Sequence, residues 1–494
     1  MKKTRVVMRV TVFFLLAATV TVLADKPKVI KAIPDNGNEN VAPTLEQIRI
    51  EFDQDMDGGG FSICGGGPKF PELLGKPRWL NKRTLVANVK LNPNYEYQMS
   101  INCPSYQNCK SVNGEPAEIY PIKFKTASAA AQDSNQPSKS SVVQELINSA
   151  NAGDMVEVPD GVYTDSIIIT KPLTLKGQSQ AKCIFEVKAN RPAIFINNAK
   201  GKVTIEDLTI KWQLATSDKT EQPFALGVKD SDVEVKNCVF NPLGNSLRSP
   251  MAVRANGFSK LTVSNCQFEG FEYVINYGDG TEGIVQDCLI ADCGHQGIMV
   301  YSGAKVEVMR NVIAGSKYHA VRSTGGHLEV RDNLIINNKN RGVYLGNKSA
   351  QGSIVNNGII GNGTGISGFA SSNMKIENNV IADNNYSGVD FRDSCSFVIQ
   401  NNIFQSNGKG WIMFKEGGKG GNTSLMNTFW QNKVDTENFD KTANSILTDP
   451  CFADFENGDF SLKPGTALEN KQGLTNPEII RKLWEIWEKY KEKK

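Results

Sequence analysis

A six-residue pattern returns through the second half of the chain: an aliphatic residue, any residue, usually Asn or Asp, then Asn or Cys, any residue, then Ile or Phe. It reads VKNCVF at 235–240, VSNCQF at 263–268, VQDCLI at 285–290 and VMRNVI at 308–313. It continues as VRDNLI at 330–335, IVNNGI at 354–359, IENNVI at 376–381 and IQNNIF at 399–404. From Val285 onward the starts fall 22 to 24 residues apart, and a weaker copy occupies Ile205–Ile210. A unit this short cannot bury its own apolar face. It must stack on copies of itself.

Within the unit, apolar and polar residues alternate, which is strand periodicity. TPR and ankyrin repeats are longer and helix-patterned, and the Leu-x-x-Leu-x-Leu frame of a leucine-rich repeat is absent. A parallel β-helix satisfies both length and period, each unit forming one coil of short strands stacked at about 4.8 Å. Equivalent residues then form columns. The fourth pattern position gives Cys238, Cys266, Cys288, Asn311, Asn333, Asn357, Asn379 and Asn402. Stacked inward Asn amides hydrogen-bond the backbone and one another, which satisfies groups that one buried Asn would leave unpaired. The three cysteines are expected to head the column as buried thiols, because parallel stacking holds their sulfurs apart. This column is read as structural.

Composition sets outer bounds. An apolar content of 40% with 44 Gly in 494 residues excludes a wholly disordered chain, a collagen and a polytopic membrane protein. With 55 Lys and Arg against 52 Asp and Glu, no bulk field exists to hold nucleic acid. Residues 1–24 read as a secretory signal peptide. Lys2, Lys3, Arg5 and Arg9 precede the apolar run TVFFLLAATV, and Val22, Leu23 and Ala24 offer a cleavage site before Asp25. The expected product is a secreted monomer, periplasmic or extracellular, or associated with a cell surface. Export permits disulfides among Cys64, Cys103 and Cys109, and the short Cys103–Cys109 spacing suits a small loop.

Residues 25–126 read as a small antiparallel β-sandwich. IRIEF at 48–52 and TLVANV at 84–89 alternate like half-buried strands, between the turn signals PDNG at 34–37 and LNPN at 91–94. Pro34, Gly37, Val41 to Pro43, Ile48 to Phe52 with Asp55 and Met56, Trp79, Leu85, Tyr95, Tyr97, Asn113, Gly114 and Phe124 to Thr126 carry a resemblance. The segment resembles the bacterial Ig-like domains of surface-layer proteins, which implies a spacer or binding module. The glycines around Cys64 read as a loop, since no Lys-Ser/Thr helix follows to make a phosphate cradle. Residues 127–140, small and polar, read as a linker.

Residues 141–475 are expected to form the β-helix. SVVQELINSA at 141–150 is amphipathic through Val142, Val143, Leu146, Ile147 and Ala150, and would lid the open coil end. With GDMVEVPDGVY at 153–163, KPLTLKG at 171–177, the repeat, Asp449–Pro450, NGDF at 457–460 and Pro464–Gly465, this region resembles right-handed parallel β-helix proteins of the pectate lyase-like superfamily. The fold class is therefore all-β: a single-stranded right-handed parallel β-helix preceded by a small Ig-like β-sandwich. That superfamily hosts lyases, hydrolases, epimerases and non-enzymes, so the resemblance implies the fold and leaves the activity open. Residues 476–494 form an amphipathic helix with Ile479, Ile480, Leu483, Trp484, Ile486 and Trp487, expected to pack on the solenoid.

Chemistry is sought in a second set of columns, aligned on Gly297, Ala320, Gly342, Gly365, Gly388 and Trp411. Two residues on, the outward column reads Met299, Arg322, Tyr344, Ser367, Asp390 and Met413. Two further it reads Tyr301, Thr324, Gly346, Phe369, Arg392 and Lys415, and one before the anchor it reads Gln296, His319, Arg341, Thr364 and Ser387. Aromatic faces suit sugar rings and Arg forks suit carboxylates. His319, Arg322, Arg341 and Tyr344 are the catalytic candidates. Uronate β-elimination needs cations on the carboxylate to acidify the neighbouring C–H, here Arg322 and Arg341, and a base, here His319 or Tyr344. Tyr301, Phe369, Asp390, Arg392 and Lys415 are substrate-binding candidates. Asp393 and Glu416 form a carboxylate pair with retaining-glycosidase character, but Arg392 and Lys415 beside them favour an ion-pair ladder. His295 and His327 read as isolated surface residues. No cofactor is expected and no metal ligands are assigned; the acidic residues are not clustered enough to claim a Ca²⁺ site, which leaves calcium dependence open. The WiDH and RxPxxR signatures of familiar pectate lyases are absent. The function expected is a lyase-like enzyme on an acidic polysaccharide. The alternatives are a non-catalytic glycan-binding or surface protein, or a glycoside hydrolase or epimerase on the same fold.

Overall fold

The computed structural model describes residues 25–494 apart from 42, 44, 46, 127–141, 216–223, 244–250, 348, 371–372, 393–394, 415–422, 439–444 and 470. The expected signal peptide (1–24), the expected linker (127–140), Asp393, Lys415 and Glu416 lie outside the described residues. Two compact units result, Met1–Gln136 and Pro137–Lys494.

In the first unit, strand Thr84–Lys90 is paired antiparallel with Gln47–Phe52, Arg78–Asn81 and Glu72–Leu73, and Val29–Ile33 joins Gln47–Phe52. A second sheet runs Asn38–Val41, Tyr120–Thr126, Glu96–Ile101, Ile63–Cys64. Every second residue of Gln47–Phe52 and Glu96–Ile101 is buried. Ile48, Ile50, Phe52 and Leu85 of the first sheet share one core with Met99, Ile101, Ile122 and Phe124 of the second. None of the ten cysteines is joined in a disulfide. Cys103 does not close onto Cys109. Cys109 is fully buried, its Sγ accepting from the Ser62 N–H at 3.3 Å, while Cys103 meets Cys64.

The second unit is a solenoid of three parallel sheets with twelve strands each. The first sheet runs from Met155–Val158 to Thr423–Leu425, the second from Gly161–Tyr163 to Thr428–Trp430, the third from Ile167–Ile169 to Val434–Glu437. The interior is one continuous apolar stack. Aromatic rings sit coil upon coil there, Phe240 on Phe268 at 4.7 Å and Phe404 on Phe429 at 4.9 Å.

The asparagine column is a ladder. Each Nδ2 from Asn311 to Asn402 donates to the Oδ1 of the next Asn, ending at Asn427, at 2.9–3.0 Å. Each Nδ2 also donates to a carbonyl of the preceding coil, such as Asn357 to Val330 at 2.9 Å. Cys238 and Cys266 head the column as thiols, each backbone N–H lying 3.4 Å from the next sulfur. A second ladder runs five residues later through Asn338, Asn362, Asn384, Asn407 and Asn432. The residue before each rung adopts a left-handed backbone. Asp332, Asn356, Asn378 and Asn401, before the first ladder, have φ of 55–59°. Asn and Asp tolerate that conformation better than other residues with a Cβ. At Asn356, Asn378 and Asn401 asparagine is therefore used twice per corner, once to turn the chain and once, at the next residue, to seal the turn.

Helix α1, Val142–Ser149, covers the first coil and buries Val143 and Ile147. Val142 and Leu146 are exposed, so the buried stripe is narrower than the sequence pattern. Gln144 pairs with the edge strand as a strand would: its Nε2 donates to Ile168 O and its Oε1 accepts from Ile168 N. That blocks edge-to-edge addition. Helix α2, Pro477–Glu492, buries Ile480, Leu483, Trp487 and Tyr490 on the outer face of the second sheet, against Val312, Leu334, Ile360, Val380 and Ile403. Gly358 makes room, since a Cβ there would lie 3.0 Å from Ile480 Cγ2. No described helix is long and apolar enough to cross a membrane.

Candidate active site

The third sheet carries the candidate residues. Its pairing runs His319 to Arg341, then Val321 to Val343, passing over Ala320 and Gly342. At this column the chain of the next coil comes close: a Cβ on Gly342 would lie 2.7 Å from Gly365 O, and one on Gly388 2.6 Å from Gly410 O. The irregularity matters. A regular strand points residues three apart to opposite faces. Here His319 and Arg322, and likewise Arg341 and Tyr344, line one cleft.

That cleft has a volume of about 280 Å³ and is lined by Tyr318, His319, Arg322, Arg341, Tyr344, Ser367, Phe369 and Arg392. Tyr344 sits at its centre. Its ring stacks on His319 at 5.0 Å with an 8° interplanar angle. The Arg322 and Arg341 guanidinium carbons lie 5.5 Å and 5.4 Å from the Tyr344 ring centroid, the geometry of cation–π contacts. Arg341 Nη1 donates to Asn340 Oδ1 at 2.9 Å. Neither Arg322 nor Arg341 meets a carboxylate within ion-pair distance among the described residues. The Nε of each is buried without a partner. Such groups are costly to leave unmatched.

His319 is 2% exposed, and its ring also lies 4.0 Å from the Tyr318 ring, tilted by 40°. Its Nδ1 has no partner. Burial, then the charges of Arg341 and Arg322, pull its pKa down to about 3. At working pH it is a neutral ring, so the cleft's net charge comes from its arginines.

The cleft continues through Ser367 and Phe369, whose ring is 40% exposed, to Arg392. Arg392 lies 4.2 Å over the Phe414 ring, and its Nη2 donates to Asp390 Oδ2 at 3.3 Å. Asp390 is fully buried behind it and does not line the cleft. Tyr301 lies one residue past strand Gln296–Val300 and is also not in the lining. The last coil corrects the alignment. Asp390 pairs with Ile412 and Phe391 with Met413, so Gly410, not Trp411, occupies the anchor column. Trp411 is a buried core side chain, and no Trp fits where a Cβ already meets a carbonyl. Phe414 thus takes the place assigned to Lys415.

The cleft also holds Tyr318 and Ser367, which the sequence columns do not single out as site residues. Tyr318 lies two before the anchor, in the column His295, Tyr318, Asn340, and reading that column would have found it. His295 is not isolated: it stacks between Tyr273 at 5.0 Å and Tyr318 at 4.7 Å. His327 lies on the first sheet beside Glu329 at 3.1 Å, away from the cleft strands. Among the described residues no three His, Cys, Asp or Glu side chains are grouped to hold a metal.

The family described as "Right handed beta helix region" matches residues 192–359 and 294–448, together more than half of the chain. The chain belongs to the right-handed β-helix family. Among solved structures it is similar to the periplasmic alginate epimerase AlgG, at 15% identity over 64% of this chain and 81% of that one, with a TM-score of 0.47. A complex of the alginate lyase AlyF-OU02 gives 12% identity, 71% and 90% coverage and a TM-score of 0.45. The A-module of the Azotobacter vinelandii mannuronan C-5 epimerase AlgE4 gives 14%, 62% and 95%, and 0.37. No curated protein sequence matches the chain.

Proposed function

We propose that the protein is an exported enzyme that cleaves an acidic, uronate-containing polysaccharide by β-elimination. One observation carries this reading: two arginines without carboxylate partners among the described residues flank a tyrosine in one cleft. A carboxylate held between Arg322 and Arg341 gains charge-assisted hydrogen bonds and stabilises the enolate-like charge that forms when the adjacent C–H loses its proton. Tyr344, through its phenolic oxygen, takes that proton. The C–H electron pair forms the C4=C5 double bond, the glycosidic C4–O bond breaks, and the phenol returns the proton to the departing oxygen. His319 is a weak base at a pKa of about 3. It serves as a neutral wall that orients the Tyr344 ring. Phe369 offers a face to a sugar further along, and Arg392 a second carboxylate contact. Arg341 and Arg392 sit two coils apart, about 10 Å along the axis at the usual strand spacing. The N-terminal β-domain, read as Ig-like, is a spacer that presents the solenoid.

Incubation with a panel of uronate and neutral polysaccharides tests the reading. Ultraviolet-absorbing unsaturated ends from uronate polymers alone are expected. Reducing ends without that absorbance would make the protein a hydrolase, and retention of a glycan without either would make it a binding module.

A further inference from the structure

The N-terminal β-domain contains a cysteine pair that the cleft chemistry does not use. Cys64 ends strand Ile63–Cys64, where it lies opposite Ser100 of strand Glu96–Ile101. The chain then turns through Asn102 at φ 55°, fixed by Asn102 Nδ2 donating to Cys109 O at 3.1 Å and to Ala117 O at 3.0 Å. Cys103 and Tyr106 exchange backbone hydrogen bonds at 2.9 and 3.1 Å. These contacts direct the Cys103 sulfur back to Cys64, 2.6 Å away. Both residues are half-buried, so an oxidant can reach them. Cys109 faces the domain core and its sulfur is engaged by Ser62. Six further cysteines lie buried in the solenoid unit, where Cys238, Cys266 and Cys288 are held one per coil, and Cys451 is the tenth.

We propose that Cys64 and Cys103 form a disulfide that ties strand Ile63–Cys64 to the turn after strand Glu96–Ile101, while the other eight cysteines remain thiols. The oxidant is a disulfide, either a small-molecule one or that of an oxidoreductase in the compartment receiving the protein. Cys103 attacks one of its sulfurs as the thiolate, forming a mixed disulfide and releasing one thiol. Cys64 gives up its proton and attacks the Cys103 sulfur, and the second thiol leaves. Two protein thiols and one disulfide thus become one protein disulfide and two thiols. The order of attack follows the local hydrogen bond. The Cys64 S–H donates to the Cys103 sulfur and holds Cys103 below its ordinary pKa, while burial, then Cys103 itself, pushes Cys64 up to about 12. This inference is independent of the glycan reading.

The test uses the purified full-length chain, equilibrated with glutathione and glutathione disulfide, acid-quenched, alkylated in denaturant and digested for mass spectrometry. The expected result is one peptide pair joined through Cys64 and Cys103 that disappears on reduction, with the alkyl label on the eight others. C109S should retain the joined pair, and C64S should lose it. Alkyl label on both Cys64 and Cys103 at the most oxidising ratio, or a joined pair containing Cys109, would overturn the proposal. Both are read on the native sequence, so they stand even if a variant fails to fold.

Discussion

Tyr344 and the two guanidiniums beside it concentrate the proposed chemistry at a single point. Replacing either arginine with glutamine removes a donor aimed at developing charge, and a loss of about 10²–10³-fold in kcat is expected. Thermal stability should hardly change, since neither arginine is ion-paired among the described residues. Tyr344→Phe keeps the ring stack but lacks the proton carrier, so glycan binding should persist while turnover disappears. Calorimetric binding beside rate measurements separates the two effects. His319 makes a prediction of a different kind. In the native protein it stays neutral down to about pH 3, whereas its ordinary value is 6.5. Between those values the unfolded chain binds the extra proton, so this group's contribution to stability falls as pH falls. Denaturant unfolding at several pH values should show a flatter acid limb for His319→Gln than for the native chain. A parallel acid limb would mean that His319 is protonated in the fold.

Among the elements, the ladders and α2 matter most. Asn357 Oδ1 accepts from both the backbone N–H and the Nδ2 of Asn333, at 2.9 and 3.0 Å. Asn357→Ala strands the Asn333 backbone N–H in a dry corner, while Asn333 Nδ2 keeps Val308 O and Arg331 O as acceptors, and a cost of about 1–3 kcal/mol is expected in equilibrium unfolding. Truncation after Thr475 removes α2 and bares the outer face of the second sheet. The lost burial is on the order of 5 kcal/mol, and a lowered melting temperature with concentration-dependent aggregation should follow. The first ladder was legible because Asn at one fixed place in a 22–24-residue unit has no use outside a stack. The second ladder, five residues on, is less legible because Cys293 and Ser316 occupy its early places. The site was legible in part. Columns put His319, Arg322, Arg341 and Tyr344 in adjacent coils, but a regular strand would have divided them between two faces. Only the backbone approach at the anchor column, visible in three dimensions, brings them together. The last coil was misaligned because Trp411 stood where spacing alone expected an anchor, and spacing does not register the room a Cβ needs.

At the scale of the whole molecule, near-neutral net charge conceals a local field. Three arginines line a cleft with no carboxylate in its described lining, and Asp390, paired to Arg392, is fully buried. If a polymer lies along the coil axis, Arg392 engages a carboxylate beyond the one being activated. Arg392→Gln should then raise KM for long oligouronates several-fold while leaving disaccharide turnover unchanged, as a series of defined chain lengths would report. The central claim is that the Arg322–Tyr344–Arg341 cluster performs β-elimination. The most direct measurement follows unsaturated ends by ultraviolet absorbance as the native chain, Arg322→Gln and Arg341→Gln each act on the same uronate polymer. A steady rise with the native chain and near-background traces with both variants are predicted. No rise on any uronate polymer, or a rise unchanged by either substitution, would contradict it.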